Sequence, residues 1–322
     1  MSSRSDAPPA PASGASAEGW ARAFDSPQIA AVVGAITIAF SSILVDLSGA
    51  SPATAAIFRC VYALPVLGFL AIHESRRIAE HPRPRRRWVY LAGACLGADL
   101  ILWHHAIRDV GAGLATMLAN IQMLILPFVG WVVWHERPSR RVLAAVPVAA
   151  LGVVLISGIL GNAYGANPAR GVLFGLLGGL AYTGFLLLMR NDPGAKYRVA
   201  GTLFDATLAA AIFSILAGLV ANEAHLIPTW PSAGWLALLA LSSQVFGWLL
   251  LTGSMPHLPT ATTSMILVTQ PAGTVILAAI LLGQVPSAGQ LLGVAMILGC
   301  LAAVTALPTR SRSAESDAPD SG

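Results

Sequence analysis

The sequence of 322 residues predicts an all-α membrane protein, with ten transmembrane helices arranged as two inverted five-helix repeats. Three observations carry this expectation. Hydrophobic residues make up 56% of the chain and charged residues only 11%, where a soluble domain averages about 25% charged. Ten apolar segments are each long enough to cross ~30 Å of hydrocarbon at about 1.5 Å per residue. A stretch of the first half also recurs in the second half with its positive charges removed.

The segments run over 28–48, 53–73, 88–107, 111–134, 140–159, 171–190, 199–221, 232–252, 260–283 and 286–307. In lipid the backbone must satisfy its own hydrogen bonds, so such runs are helices. Residues 1–27, rich in Pro, Ala, Ser and Gly, read as a disordered cytoplasmic tail without a signal-peptide core. Residues 308–322 read as a second disordered cytoplasmic tail. The first five-helix unit is 28–159 and the second, inverted, is 171–307. Cys60, Cys95 and Cys300 lie in apolar runs with no CxxC pair, so they suggest neither a disulfide framework nor a zinc site.

Charge orients the chain. With the N-terminus inside, Arg76, Arg77, Arg83, Arg85, Arg86 and Arg87 fall in a cytoplasmic connection. Arg137, Arg140 and Arg141 fall in the next, and Arg190, Lys196 and Arg198 in a third. Arg4, Arg22, Arg310 and Arg312 lie in the tails, while the outer loops hold only Arg108 and Arg170. This asymmetry is the positive-inside pattern. It turns a net charge of +4 into a statement about topology and removes nucleic acid as a partner. The expected setting is a bacterial inner membrane with both termini cytoplasmic.

Residues 106–139 align without a gap on 254–287. Met117 falls on Met265, Gln122 on Gln270, and Pro138-Ser139 on Pro286-Ser287. Five spans separate the copies, and an odd number inverts the second. HERPSRR at 135–141 then faces the cytoplasm with three arginines, and GQVPSAG at 283–289 faces outward with none. Inverted repeats are the architecture of many secondary transporters, with the site near the midplane.

The stretches 97–139 and 243–287 resemble the drug/metabolite transporter superfamily, specifically its ten-helix EamA-type permeases. The family pattern is an apolar helix ending in Gly-Glu-x-Pro-Ser or similar, once per half, followed by a Gly-bearing helix. Glu136, Pro138 and Ser139 match it in the first half, and Pro286 and Ser287 in the second. Gln284 stands where the family usually has Glu, and Met123 stands where the other half has Pro271. The resemblance covers about residues 28–307. It implies a substrate:cation-coupled carrier or facilitator, more often an exporter, for amino acids, metabolites, drugs or nucleotide-sugars.

Ionisable groups are costly in a membrane, so each asks for a reason. Asp99 lies ~16 Å into the third span, where it suits a substrate amine or a coupling proton. Trp103, one turn on, offers an aromatic wall. Asn120, Gln122, Gln244 and Gln270 reach a similar depth, and amides both donate and accept. Asn120 and Gln122 are ~200° apart on an ideal helix, so only one is expected to face a cavity, with Thr116 favouring Asn120. Gln244 and Gln270 are candidates to pair with each other. Arg59, ~9 Å below the outer surface, is a candidate gate or anion contact, with Asp46 as its possible ion partner or with its head snorkelling to water. His104 and His105 close the outer end of the third span; His104 is a candidate proton relay, or a group that simply meets interfacial water. Asp205 is expected to contact Arg190, Lys196 or Arg198. Glu136 is expected in an ion-pair cluster with Arg137, Arg140 and Arg141. Gly93/Gly97 and Gly171/Gly175/Gly179 have the spacing of close helix crossings. Pro65, Pro127, Pro147 and Pro271 mark candidate bends.

The reading is a secondary-active carrier of small metabolites, amino acids or drugs, working by alternating access, with protons as candidate coupling ion. A lipid-linked flippase or a nucleotide-sugar-type antiporter is the alternative within the same architecture. A membrane enzyme finds no HExxH, GxSxG or P-loop in the sequence. No cofactor is expected. The partners are a small-molecule substrate and the lipid bilayer.

Overall fold

The computed structural model describes residues 26–77, 86–135, 137–190, 198–227, 229–254, 257–258 and 260–305. Apart from Ser26 and Pro27, the two expected tails lie outside these residues, and so does Glu136. Among the described residues the chain is helical, without strands. The helices are α1 (Pro27–Ala39), α2 (Ser41–Ser48), α3 (Pro52–Arg77), α4 (Arg86–Val110), α5 (Ala112–Ala119), α6 (Gln122–Trp134) and α7 (Arg140–Ile156). They continue with α8 (Pro168–Arg190), α9 (Val199–Val220), α10 (Ser232–Leu239), the π-helical segment π1 (Ala240–Gly247), α11 (Trp248–Ser254), α12 (Thr260–Leu282) and α13 (Ala288–Thr305). Three pairs or triples run on as single rods: α1–α2, α5–α6 and α10–π1–α11. The described helices thus make ten rods.

Eight of the rods are long and apolar enough to cross a bilayer. The other two fall short for physical reasons. Helix α7 has only 17 residues. Helix α4 is long enough, but Asp99, His104 and His105 interrupt its apolar run. The perimeter matches a lipid-facing surface, because large side chains such as Phe69 (70% exposed), Val132 (74%) and Ile280 (71%) point outward. A soluble monomer does not expose apolar surface on this scale.

Local sequence sets the ends. Ser26 caps α1 by accepting from the Ile29 N–H at 3.2 Å, and Pro27 supplies its first turn. Ser139 caps α7 through the Val142 N–H. The α9 N-terminus is capped across space: the buried Glu74 carboxylate of α3 accepts from the Gly201 N–H at 2.8 Å and the Ala200 N–H at 3.3 Å. A carboxylate there also meets the positive end of the helix dipole. Gly111, at φ +90°, makes the sharp turn from α4 into α5.

The candidate proline bends do not interrupt the helices. Pro65, Pro127, Pro147 and Pro271 each lie inside a continuous helix. The breaks fall at Phe40, at Asn120–Ile121 and in π1. At Asn120 the cause is competition for carbonyls. Its side-chain amide donates to the Thr116 carbonyl at 2.8 Å, the acceptor its own backbone N–H also uses. The chain then tightens, with Ile121 bonding back to Leu118, Met123 to Asn120 and Leu124 to Ile121, all three residues back.

Helix α4 sits at the centre, packed by α3, α5, α8 and α9. Small residues make this possible. A Cβ at Gly97 would stand 2.9 Å from the Ala210 carbonyl oxygen of α9, and one at Gly93 would collide with the Ala206 carbonyl. On the other side, Gly171, Gly175 and Gly179 of α8 lie against Val110, Leu118 and Ala119. Both small-residue stripes therefore act as close crossings. Elsewhere α7 and α13 meet at Gly152 and Gly293. Gly93→Ala should lower stability by about 1–3 kcal/mol through overpacking. Gly273→Ala, with nothing within 4 Å of the added carbon, should not. Thermal unfolding in detergent measures both.

Candidate functional site

A cavity of about 110 Å³ lies at mid-depth, between the rods of both halves. Its walls carry Ser41 of α2, Arg59 of α3, Asp99 and Trp103 of α4, and Thr116, Asn120 and Gln122 around the α5–α6 break. Tyr182 of α8, Trp248 of α11 and Gln270 of α12 complete the polar and aromatic lining.

Arg59 is 4% exposed, so it does not snorkel. Its Nε donates to Gln244 Oε1 at 2.9 Å, and the Gln244 amide nitrogen donates onward to Thr207 Oγ1 at 3.3 Å. The π1 segment presents Gln244 at this point, and Ser243 beside it donates to the Thr37 carbonyl. Arg59 Nη1 is buried without a hydrogen-bond partner, and so is the indole N–H of Trp103. The guanidinium stands 5.7 Å from the Trp103 ring centroid, within cation–π range. Asp99 is buried on the same cavity. Among the described residues it forms no ion pair with Arg59. A guanidinium and a carboxyl group therefore line one space without bonding each other directly. Gly178 brings α8 close to Asp99, since a Cβ there would stand 3.3 Å from Asp99 Oδ1.

The structure corrects several expectations. Arg59 does not pair with Asp46. Asp46 lies exposed at the end of α2 and meets the Gln284 amide instead. Gln244 does not pair with Gln270; it holds Arg59, while Gln270 lines the cavity. Asn120 and Gln122 both line the cavity, because the break between them removes the ideal 100° step. His104 is 2% exposed, away from interfacial water, and its Nδ1 meets the Pro52 carbonyl at 3.1 Å. A carbonyl only accepts, so Nδ1 carries the proton there. His104 is absent from the cavity lining and ties α4 to the start of α3. Lys196, one expected partner of Asp205, lies outside the described residues.

Arg59, Asp99, Trp103, Asn120 and Gln270 are thus brought together, with Gln244 behind Arg59. Tyr182 and Trp248 were missed, although Trp248 stands one turn after Gln244 and Tyr182 one turn after Gly178. Also missed was a polar layer at the arginine-poor end. There Arg170 grips Asp109 with two bonds of 2.6 and 2.7 Å. His105 meets Glu223 at 3.1 Å. Gln284 Oε1 accepts from the Ala112 N–H at 2.8 Å. The fully buried Gln290 amide bonds Tyr164, Ser287 and Ile156.

Paired helical units around a shared polar cavity match a family model over residues 27–158 and 169–306. The chain belongs to the EamA-like transporter family. It is a transmembrane transporter, integral to a membrane. Among curated relatives, the probable 4-amino-4-deoxy-L-arabinose-phosphoundecaprenol flippase subunit ArnE of Klebsiella pneumoniae (strain 342) is 26% identical over 96 residues. That match covers 29% of this chain and 86% of the relative. The protein of the same name from Salmonella paratyphi C (strain RKS4594) matches at 26% over the same shares. A solved crystal structure superposes with a TM-score of 0.58 at 16% identity, over 86% of this chain and 96% of that one. This likeness concerns the EamA fold alone.

The Arg59–Gln244 bond separates structural from lining roles. Gln244→Leu should lower stability by about 1.5–3 kcal/mol, because it leaves a charged donor without its acceptor. Gln270→Leu should change it by less than about 0.5 kcal/mol. Unfolding midpoints of the purified variants provide the comparison.

Proposed function

We propose that this EamA-family protein carries a small zwitterionic group by alternating access, with Arg59 holding its anionic end and Asp99 its cationic end. The observation that carries this reading is that Arg59 and Asp99 are buried on one cavity without an ion pair between them, with Arg59 Nη1 lacking a hydrogen-bond partner. Leaving a guanidinium N–H unsatisfied in a hydrocarbon setting is costly, and a ligand oxygen would relieve it. Asn120, Gln122 and Gln270 add donors and acceptors, and Trp103, Tyr182 and Trp248 add flat walls. The protein has no enzymatic role in this reading. Each five-helix unit, 28–159 and 171–307, moves as a body against the other. The arginine-rich end faces the cytoplasm of a bacterial inner membrane, with both termini inside, and transport runs outward.

Asp99 is also the group of choice for proton coupling, because it alone among the lining side chains is a carboxylate. The polar layer at the arginine-poor end then acts as the closed gate. A nucleotide-sugar substrate is disfavoured, since the cavity is far below the roughly 300–1,000 Å³ of a drug-sized site. A lipid-linked substrate is the second reading. Its support is the name of the ArnE relatives, which describes a lipid-linked group bearing both an amine and a phosphate.

A metabolite-library flux screen in proteoliposomes, with and without a proton gradient, tests the proposal. Arg59→Gln and Asp99→Asn should each reduce transport by at least about tenfold, as for a buried charge contact to ligand. Asp99→Asn should also remove the dependence on the gradient. Unchanged transport in both variants would overturn the assignment.

A further inference from the structure

A second, larger cavity of about 590 Å³ lies between α6, α7 and α8. Three stripes form it: residues 121–128, 146–153 and 173–180. Each stripe spans about 10 Å along its helix. Every lining side chain is apolar, Ile121, Phe128, Ala150, Val153, Leu177 and Leu180 among them. Water has no partner there. The cleft opens at the perimeter, where Leu177 is 41% and Leu180 50% exposed. In a bilayer it therefore faces hydrocarbon.

The cleft and the polar cavity share one wall. Asn120 and Gln122 line the cavity, and Ile121 between them lines the cleft. On α8, Tyr182 lines the cavity while Leu180 lines the cleft. Gly179 brings α8 against the α5–α6 rod at this wall, where a Cβ would stand 3.0 Å from the Ala119 carbonyl oxygen. On the perimeter side of this contact, Leu173, Leu176, Leu177 and Leu180 of α8 line the cleft.

We infer that the cleft seats the single hydrocarbon chain of a membrane amphiphile whose polar head occupies the Arg59/Asp99 cavity. The inference rests on the zwitterion reading and narrows its substrate to a chain-bearing molecule. The chain passes between α6 and α8 beside the α5–α6 break. Lipid tails are as apolar as the cleft, so burial alone does not hold the chain there. The head supplies the anchor. Chain occupancy must therefore depend on Arg59 as well as on the shape of the cleft.

The probe is hexadecyl phosphoethanolamine carrying a diazirine in mid-chain, photolysed with the full protein in lipid nanodiscs. Mass spectrometry should place the label on α6, α7 and α8 inside the cleft. The expected enrichment over the lipid-facing Val148 and Leu151 of α7 is about tenfold, the factor one charged hydrogen bond to the head supplies. Ala150→Trp, or Leu180→Trp should the first not fold, fills the cleft and should abolish the enrichment. Arg59→Gln should abolish it too. Label at the lipid-facing level in the unmodified protein would overturn the inference. So would enrichment that survives Arg59→Gln, which would mark an ordinary membrane lipid. If Arg59→Gln stops flux in the transport screen but leaves the label in place, this inference falls and the polar-site reading stands. If the label follows Arg59→Gln while flux ignores it, the chain site stands and the transport role of Arg59 falls.

Discussion

Hydrocarbon cannot solvate a charge, and the architecture follows from placing two ionisable groups where it cannot. Arg59 and Asp99 sit deep in the bundle, so each needs surrounding groups to replace water. Arg59 obtains one acceptor from Gln244, and Gln244 reaches it because the eighth rod widens into a π-helical segment. Thr207 on α9 then steadies Gln244 from behind. The chain of contacts runs α3, π1, α9, and it leaves the Arg59 Nη1 buried without a hydrogen-bond partner. The site is polar by construction and incompletely satisfied by the protein.

Bringing these groups within reach requires helices closer than Leu or Val would permit. Gly93 and Gly97 draw α9 onto α4, while Gly178 and Gly179 draw α8 onto α4 and α5. Close crossings give the aromatic residues their places. Tyr182 and Trp248 meet at a tilt beside the cavity with ring centroids 6.4 Å apart, and Phe185 packs on both. Stability and site geometry therefore rest on the same small residues.

Much of this was legible in residue types and spacing. Apolar run length identified the rods, and glycine spacing identified the crossings. The isolated carboxylate Asp99 identified the cavity, because a charge set amid about 20 apolar residues turns inward, toward polar groups or a water-filled space. What escaped the sequence were departures from ideal helical geometry and pairings across space. The ideal helix separates Asn120 from Gln122, and a single side-chain bond to Thr116 defeats that rule. Similarly, Arg59 had Asp46 as a plausible ion partner, whereas the bundle offered a neutral amide. Sequence distance of 185 residues between Arg59 and Gln244 leaves no local trace. Asp109 and Arg170 paired unseen for the same reason.

Gln284 occupies the position where the family's motif ordinarily carries an acid, and its amide serves two neighbours. The oxygen accepts from the first N–H of α5, and the side chain also reaches Asp46. A carboxyl group at that joint would change its hydrogen-bonding character whenever it gained or lost a proton, and it would repel Asp46 when ionised. An amide does neither. The Gln284 bond to the start of α5 thus has no proton of its own to gain or lose, although Asp46 beside it is an acid. The link from the α12–α13 turn to the first N–H of α5 therefore keeps one hydrogen-bonding character on both sides of a pH difference across the membrane.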